Sequence, residues 1–346
     1  MKKWILLLCV MLVTLPSAGC VNKASSNSSE FVLIDTSETI AKEESTISQN
    51  LNSFDPVTLN TTVSEVINDP EFGDFGRLLF PVDLTIDSSM TLNDISSPNT
   101  YIWYSDIQPV KTVEIINALK KHVENGEQIF YSIYSQEEIA LDPSKADTGL
   151  FYFKGIPGKE FAIMSAGGGF MYVGAMHDSF PHALEVSKLG YNAFALIYRP
   201  DYAYDDLAQA IGFIDDHADE LEVKRDGYSL WGGSAGARMA ASLGRGDAMA
   251  QYGRTDIPQA SAVIMQYTGY TAVSNNDAPT YACVGTNDGI ASWRTMQSRL
   301  ESLSDLGIPT EFHSYQGLSH GFGLGTGTVA EGWINDAVAF WENQIE

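Results

Sequence analysis

Cysteine is nearly absent from this 346-residue chain: only Cys9, Cys20 and Cys283 occur. The first two belong to the N-terminal region, so Cys283 alone remains for a folded domain, and no disulfide can form within it. Cys283 sits in an apolar stretch and reads as a small core residue rather than a reactive thiol. Positive charge is also scarce. Lys and Arg number 20 against 44 Asp and Glu, a net charge of −24. Phosphate binding needs basic patches, so nucleic acid is excluded as a partner, and the acidity suits solubility. No grouping of His, Cys, Asp and Glu has metal-ligand spacing, so neither a metal nor another cofactor is expected. Internal repeats are lacking. The longest apolar run, Trp4 to Leu15, is too short to span a bilayer comfortably.

That run follows Met1-Lys2-Lys3 and precedes Pro16-Ser17-Ala18-Gly19-Cys20, the pattern of a secretory signal over residues 1–19. Ala18-Gly19-Cys20 resembles the end of a bacterial lipobox, with Ser17 where leucine usually stands. The expectation is a lipid on Cys20 and an extracytoplasmic, membrane-anchored lipoprotein, with plain secretion as the alternative. Residues 20–60 are rich in Ser, Thr, Asn and Glu and read as a mostly disordered tether. Residues 61–126 form an extension of their own. Phe72, Phe75, Leu79 and Phe80 are too apolar to stay solvated, and Val113, Ile116, Leu119 and Val123 give a helix over 109–123 an apolar stripe. The extension is expected to be ordered and to pack as a cap near the mouth of the site described next.

Residues 127–346 alternate short apolar strands with helices. Strands are predicted at 128–134, 150–153, 161–164, 193–198, 228–231, 262–266, 280–284 and 310–315. Helices are predicted at 181–188, 204–218, 291–306 and 329–341. This pattern indicates an α/β fold with a mostly parallel central sheet covered by helices on both faces.

The chemistry centres on Gly232-Gly233-Ser234-Ala235-Gly236, a G-x-S-x-G between a strand and a helix. So tight a turn pushes the Ser234 hydroxyl clear of the sheet, and the helix N-terminus behind it favours developing negative charge. A nucleophile of this kind needs a base, a group to orient the base, and oxyanion donors. Of six histidines, His122 and His217 fall on predicted helices, His182 opens one, and His313 lies in a strand. His320, in the glycine-rich loop 317–323, is mobile and reachable enough to be the base. Asp288 ends a loop after the penultimate strand. Taken alone it reads as a helix N-cap, but with Ser234 before it and His320 after it, it becomes the orienting acid. Gly167-Gly168-Gly169 follows an earlier strand, and the N–H groups of Gly168, Gly169 and Ala235 are the candidate oxyanion donors. His177, in Met176-His177-Asp178, reads equally as a pocket wall or as a surface histidine beside a helix cap. Arg199 is expected to pair with a carboxylate.

From about residue 128 onward the chain resembles α/β-hydrolase esterases, nearest the acetyl-esterase, acetylxylan-esterase-like and hormone-sensitive-lipase-like carboxylesterases. The residues that carry the resemblance are Gly167-Gly168-Gly169-Phe170, Tyr198-Arg199-Pro200, the Ser234 elbow, Asp288 and Ser319-His320-Gly321-Phe322. Ala166 stands where these families usually carry His. Gly233 stands where the lipase-like group carries Asp, which draws the chain toward the carbohydrate-acyl esterases. The resemblance implies hydrolysis of short-chain carboxylic esters, including acetyl groups on carbohydrates, through a Ser-His-Asp triad without a cofactor. A serine peptidase of the prolyl-oligopeptidase type and a non-catalytic surface-binding lipoprotein are the alternatives. The partner expected is a small-molecule or carbohydrate ester, and the only membrane contact expected is through the lipid. The oligomeric state is open.

Overall fold

Six of the eight strands are buried along their whole length, as sheets covered on both faces require. The structure is a computed structural model that describes residues 55–95 and 100–345. The predicted signal, Cys20 and nearly all of the tether lie outside the described residues.

The strands are β1 (Phe130–Tyr131), β2 (Gly149–Phe153), β3 (Phe161–Ser165), β4 (Asn192–Ile197), β5 (Ser229–Gly233), β6 (Ala262–Gln266), β7 (Thr280–Gly285) and β8 (Thr310–Tyr315). They form one sheet in the order β1-β2-β4-β3-β5-β6-β7-β8. β1–β2 and β2–β4 pair antiparallel, and every other pair is parallel. The longer helices are α1 (Pro109–Glu124), α2 (Phe180–Lys188), α3 (Ala203–Asp216), α4 (Ala235–Leu243), α5 (Trp293–Asp305) and α6 (Trp333–Ile345). Successive residues of β5 show the two covered faces. Trp231 packs its ring against Trp333 and Trp341 of α6, whereas a Cβ on Gly232 would run into Gly236 and Ala237 of α4.

Two element boundaries change. The strand predicted at 128–134 is only Phe130–Tyr131. Beyond it the backbone leaves the ladder, because the Gln209 amide donates to the Ile133 carbonyl and the Ser132 hydroxyl to that of Tyr134. The last helix begins at Trp333, not at 329. Gly332 has φ +91°, which no right-handed helix accommodates, and Thr328 and Gly325 form a turn just before it. Val57, inside the stretch expected to be tether, is buried and exchanges two hydrogen bonds with Asn117 of α1.

The extension divides into two parts. Its aromatic cluster is not at the mouth of the site. Phe75 stacks on Phe130 of β1 (5.1 Å between centroids) and meets Phe151 of β2 edge-on, with Phe72 fully buried beside it. β1 lies four strand spacings from β5, about 19 Å. Hydrophobic burial therefore draws these rings to the antiparallel edge of the sheet. A strap at residues 100–108, leading into α1, is the part that reaches the 320–321 backbone.

Candidate active site

Ser234 stands between β5 and α4 with φ 50° and ψ −110°, a conformation that L-residues populate only under constraint. The constraint comes from close backbone approaches. A Cβ at Gly236 would lie 1.9 Å from the Ser165 carbonyl oxygen, and the Ser234 N–H is tied to Gln266 O of β6 at 3.0 Å. The hydroxyl is thereby presented at the carboxyl end of the parallel strands, where sites of such sheets collect.

His320 Nε2 lies 3.0 Å from Ser234 Oγ, and its Nδ1 lies 2.7 Å from Asp288 Oδ2. The imidazole is largely buried and the carboxylate fully so. Asp288 divides its oxygens between two tasks: Oδ1 accepts the Ile290 and Ala291 N–H groups at 2.7 Å each, and Oδ2 faces the histidine. The turn it closes is not the helix cap, because α5 starts later, with Ser292 at its N-cap position. The His320 loop is held from three directions. Ser105 donates its N–H to Gly321 O and its hydroxyl to His320 O, and the Gln266 amide donates to Gly323 O. The Tyr267 ring meets the imidazole edge-on, centroids 4.9 Å apart.

The glycine run after β3 is shaped so that its carbonyls point into the loop. Gly167 O accepts from Gly174 N, and Gly168 O from Met171 and Tyr172 N. Gly168 has φ +129°, and a Cβ there would lie 2.0 Å from the Tyr172 carbonyl oxygen, so only glycine fits. Among the described residues, the N–H groups of Gly168 and Gly169 have no hydrogen-bond partner. That of Ala235, the first residue of α4, has no acceptor within its helix. In place of a histidine, Ala166 contributes only its carbonyl, which accepts from the Tyr198 hydroxyl at 2.7 Å.

The remaining candidates fall into place as follows. His177 is not a surface residue: it is buried, its ring 4.3 Å from that of Tyr101, and burial lowers it from the usual 6.5 to about 3. It lines a small cavity between the strap and the segment after His320, together with Ser105, Lys111, Phe322 and Leu324. Arg199, just past the carboxyl end of β4, pairs with Asp206 at 2.6 Å and with Asp142 at 3.0 Å, a structural clamp. Burial pushes the Cys283 thiol well above its usual range. Among the described residues no group of three metal-binding side chains occurs, and no helix is long and apolar enough to cross a membrane.

The site also uses residues that no motif flagged: Tyr104 and Ser105 from the strap, and Tyr267. Trp103 lies over Gly169, where an added Cβ would meet the indole at 2.9 Å, and remains 39% exposed. Only the position of Tyr267, directly after a predicted strand's carboxyl end, hinted at a place in the site.

No protein-family model matches the chain, and no curated protein matches it in sequence. Solved structures do match in fold. An α/β hydrolase enzyme, MGS-M1, from a Medee basin deep-sea metagenome library superposes with a TM-score of 0.51 at 19% identity, over 62% of this chain and 96% of that one. Esterase Est2 of Thermogutta terrifontis gives 0.50 at 19% identity, over 61% and 89%. An acetyl ester-xyloside bifunctional hydrolase of Caldicellulosiruptor lactoaceticus gives 0.53 at 18% identity, over 62% and 95%. At such identities the likeness establishes the fold alone: this chain has an α/β-hydrolase-like fold.

Proposed function

We propose that the chain is a serine-dependent hydrolase of short-chain carboxylic esters. The observation that carries this reading is the relay Ser234 Oγ–His320 Nε2 at 3.0 Å and His320 Nδ1–Asp288 Oδ2 at 2.7 Å, set beside unpartnered backbone N–H groups. His320 takes the Ser234 proton as the oxygen attacks the ester carbonyl carbon, and Asp288 orients the ring and stabilises its positive form. The oxyanion falls to the N–H groups of Gly168, Gly169 and Ala235, each such donor being worth about 2.7–4 kcal/mol in the transition state. The imidazolium returns its proton to the departing alcohol. Water, activated by the same ring, then hydrolyses the acyl-serine.

Short acyl groups are favoured by the strap and by the 267–279 segment. That segment carries neither helix nor strand, and Trp103 narrows the mouth on the oxyanion side. Acetylated oligosaccharides belong in the test because Gly233 draws the sequence toward carbohydrate-acyl esterases and because one structural neighbour is named as an acetyl ester-xyloside hydrolase. The experiment is a panel of nitrophenyl esters from acetyl to dodecanoyl, with acetylated xylo-oligosaccharides and a peptide anilide, on wild type and Ser234→Ala. Activity peaking at acetyl to butyryl and abolished in a folded variant, with a fluorophosphonate probe on Ser234, is the expected result. Activity retained in the variant, or rising steadily to about twelve carbons, overturns the nucleophile or the chain-length preference respectively.

A further inference from the structure

Asp178 is 1% exposed and makes no ion pair with Lys or Arg among the described residues; burial raises its carboxyl, and the titratable group beside it is His182, whose Nδ1 lies 2.8 Å from the Asp178 carbonyl oxygen. It ends the short helix Ala175–Asp178, which follows the glycine run. Its carboxylate collects donors from three separate parts of the chain. The Gly167 N–H reaches Oδ2 at 2.6 Å, the Tyr104 hydroxyl of the strap reaches the same oxygen at 3.1 Å, and the Tyr267 hydroxyl donates to Oδ1. A fourth part, the nucleophile's own turn, packs against it without a bond. A Cβ at Gly233 would lie 2.4 Å from both carboxylate oxygens, so residue 233 must be glycine while Asp178 is present. The carboxylate thus touches the glycine loop, the elbow, the strap and the end of β6 at once.

A buried carboxylate without a counter-ion costs stability and persists only where donors satisfy it. Here the donor that matters most for chemistry is Gly167. Fixing its N–H toward Asp178 sets the orientation of the following peptides, whose carbonyls are then taken by Gly174, Met171 and Tyr172. With these groups committed, the N–H groups of Gly168 and Gly169 are left without a partner among the described residues. We infer that Asp178 is the positioning residue of the oxyanion donors, holding the glycine loop in its donating conformation and coupling it to the strap through Tyr104 and to β6 through Tyr267. The inference rests on the ester-hydrolase reading above.

The test compares Asp178→Leu, which has no acceptor, with Asp178→Asn, which keeps one, and with Tyr104→Phe and Tyr267→Phe, which each remove one donor. Ester kinetics, thermal melting and amide exchange of residues 166–172 are measured on each. Expected is a fall in kcat of about a hundredfold for the leucine variant and about tenfold for asparagine, with KM within about threefold of wild type. Amide exchange in 166–172 should be faster in both. The asparagine variant's partial recovery of rate separates orientation of the loop from simple loss of packing. Should the leucine variant fail to fold, the asparagine and phenylalanine variants decide. A kcat unchanged in all of them, a loss confined to KM, or unaltered exchange in 166–172 overturns the inference. Wild-type hydrolysis and labelling of Ser234 are established first. A wild type inert toward every ester overturns the functional reading instead, and the exchange measurement then judges the hold of Asp178 on the loop by itself.

Discussion

His177 has its ring packed edge-on against Tyr101 and is lowered from 6.5 to about 3 by burial. The folded protein therefore keeps it neutral, while the unfolded chain takes up a proton below about 6.5. The associated stability is fully present above that pH and is lost progressively as pH falls toward 3. At about 1.4 kcal/mol per pH unit, crossing the window costs on the order of 5 kcal/mol. His177→Phe keeps an aromatic ring against Tyr101 and removes the titration. Guanidinium unfolding at pH 7 and pH 4 should show the variant losing several kcal/mol less on acidification than wild type. Equal losses in the two proteins would refute the assignment.

At the scale of elements, the extension performs two separable tasks. Phe72, Phe75 and their neighbours seal the antiparallel edge, where β1 is only two residues long and offers little area of its own. The strap instead contacts the His320 loop and Asp178 through Ser105 and Tyr104. Phe72→Ala should therefore cost about 3–5 kcal/mol of stability and leave kcat/KM within about twofold of wild type, because the ring is remote from Ser234. Ser105→Ala should do the reverse. It gives up one hydrogen bond of about 1 kcal/mol but loosens the base's loop, so kcat falls while the melting temperature barely moves. Chemical denaturation run beside ester kinetics checks both. A Phe72 variant that loses activity in proportion to stability would show that the two parts are not separable.

At the scale of the whole molecule, the sheet places Ser234, Asp288 and His320 on three different connections and still brings them within hydrogen-bond reach. The order β3-β5-β6-β7-β8 is what achieves this, since all five run parallel and end on the same side. The proposed cellular setting follows from residues outside that body. We propose lipidation at Cys20 and an extracytoplasmic position, on the strength of the short apolar run and Ala18-Gly19-Cys20. Metabolic labelling with a fatty-acid analogue should mark wild type and not Cys20→Ala, with the variant released from the membrane fraction. Equal labelling of both would remove the anchor.

The local sequence determined the alternation of strands and helices, the elbow at Ser234 and the glycine run, because each is set by short-range sterics: apolar periodicity, tight turns, glycine where no Cβ fits. The glycine-rich loop after the last strand singled out His320 as a candidate, and the chain order Ser, Asp, His then singled out Asp288, since a parallel sheet sends each strand's carboxyl end to the same edge. The double use of Asp288, one oxygen for its own turn and one for His320, emerged only in three dimensions. So did the burial of His177, the short β1 and the division of the extension. These depend on partners distant in sequence: Tyr101 for His177, Gln209 for the end of β1, Phe130 for Phe75. Asp178 is the sharpest case. Its four neighbours lie at residues 104, 167, 233 and 267, and only the folded chain brings them around one carboxylate.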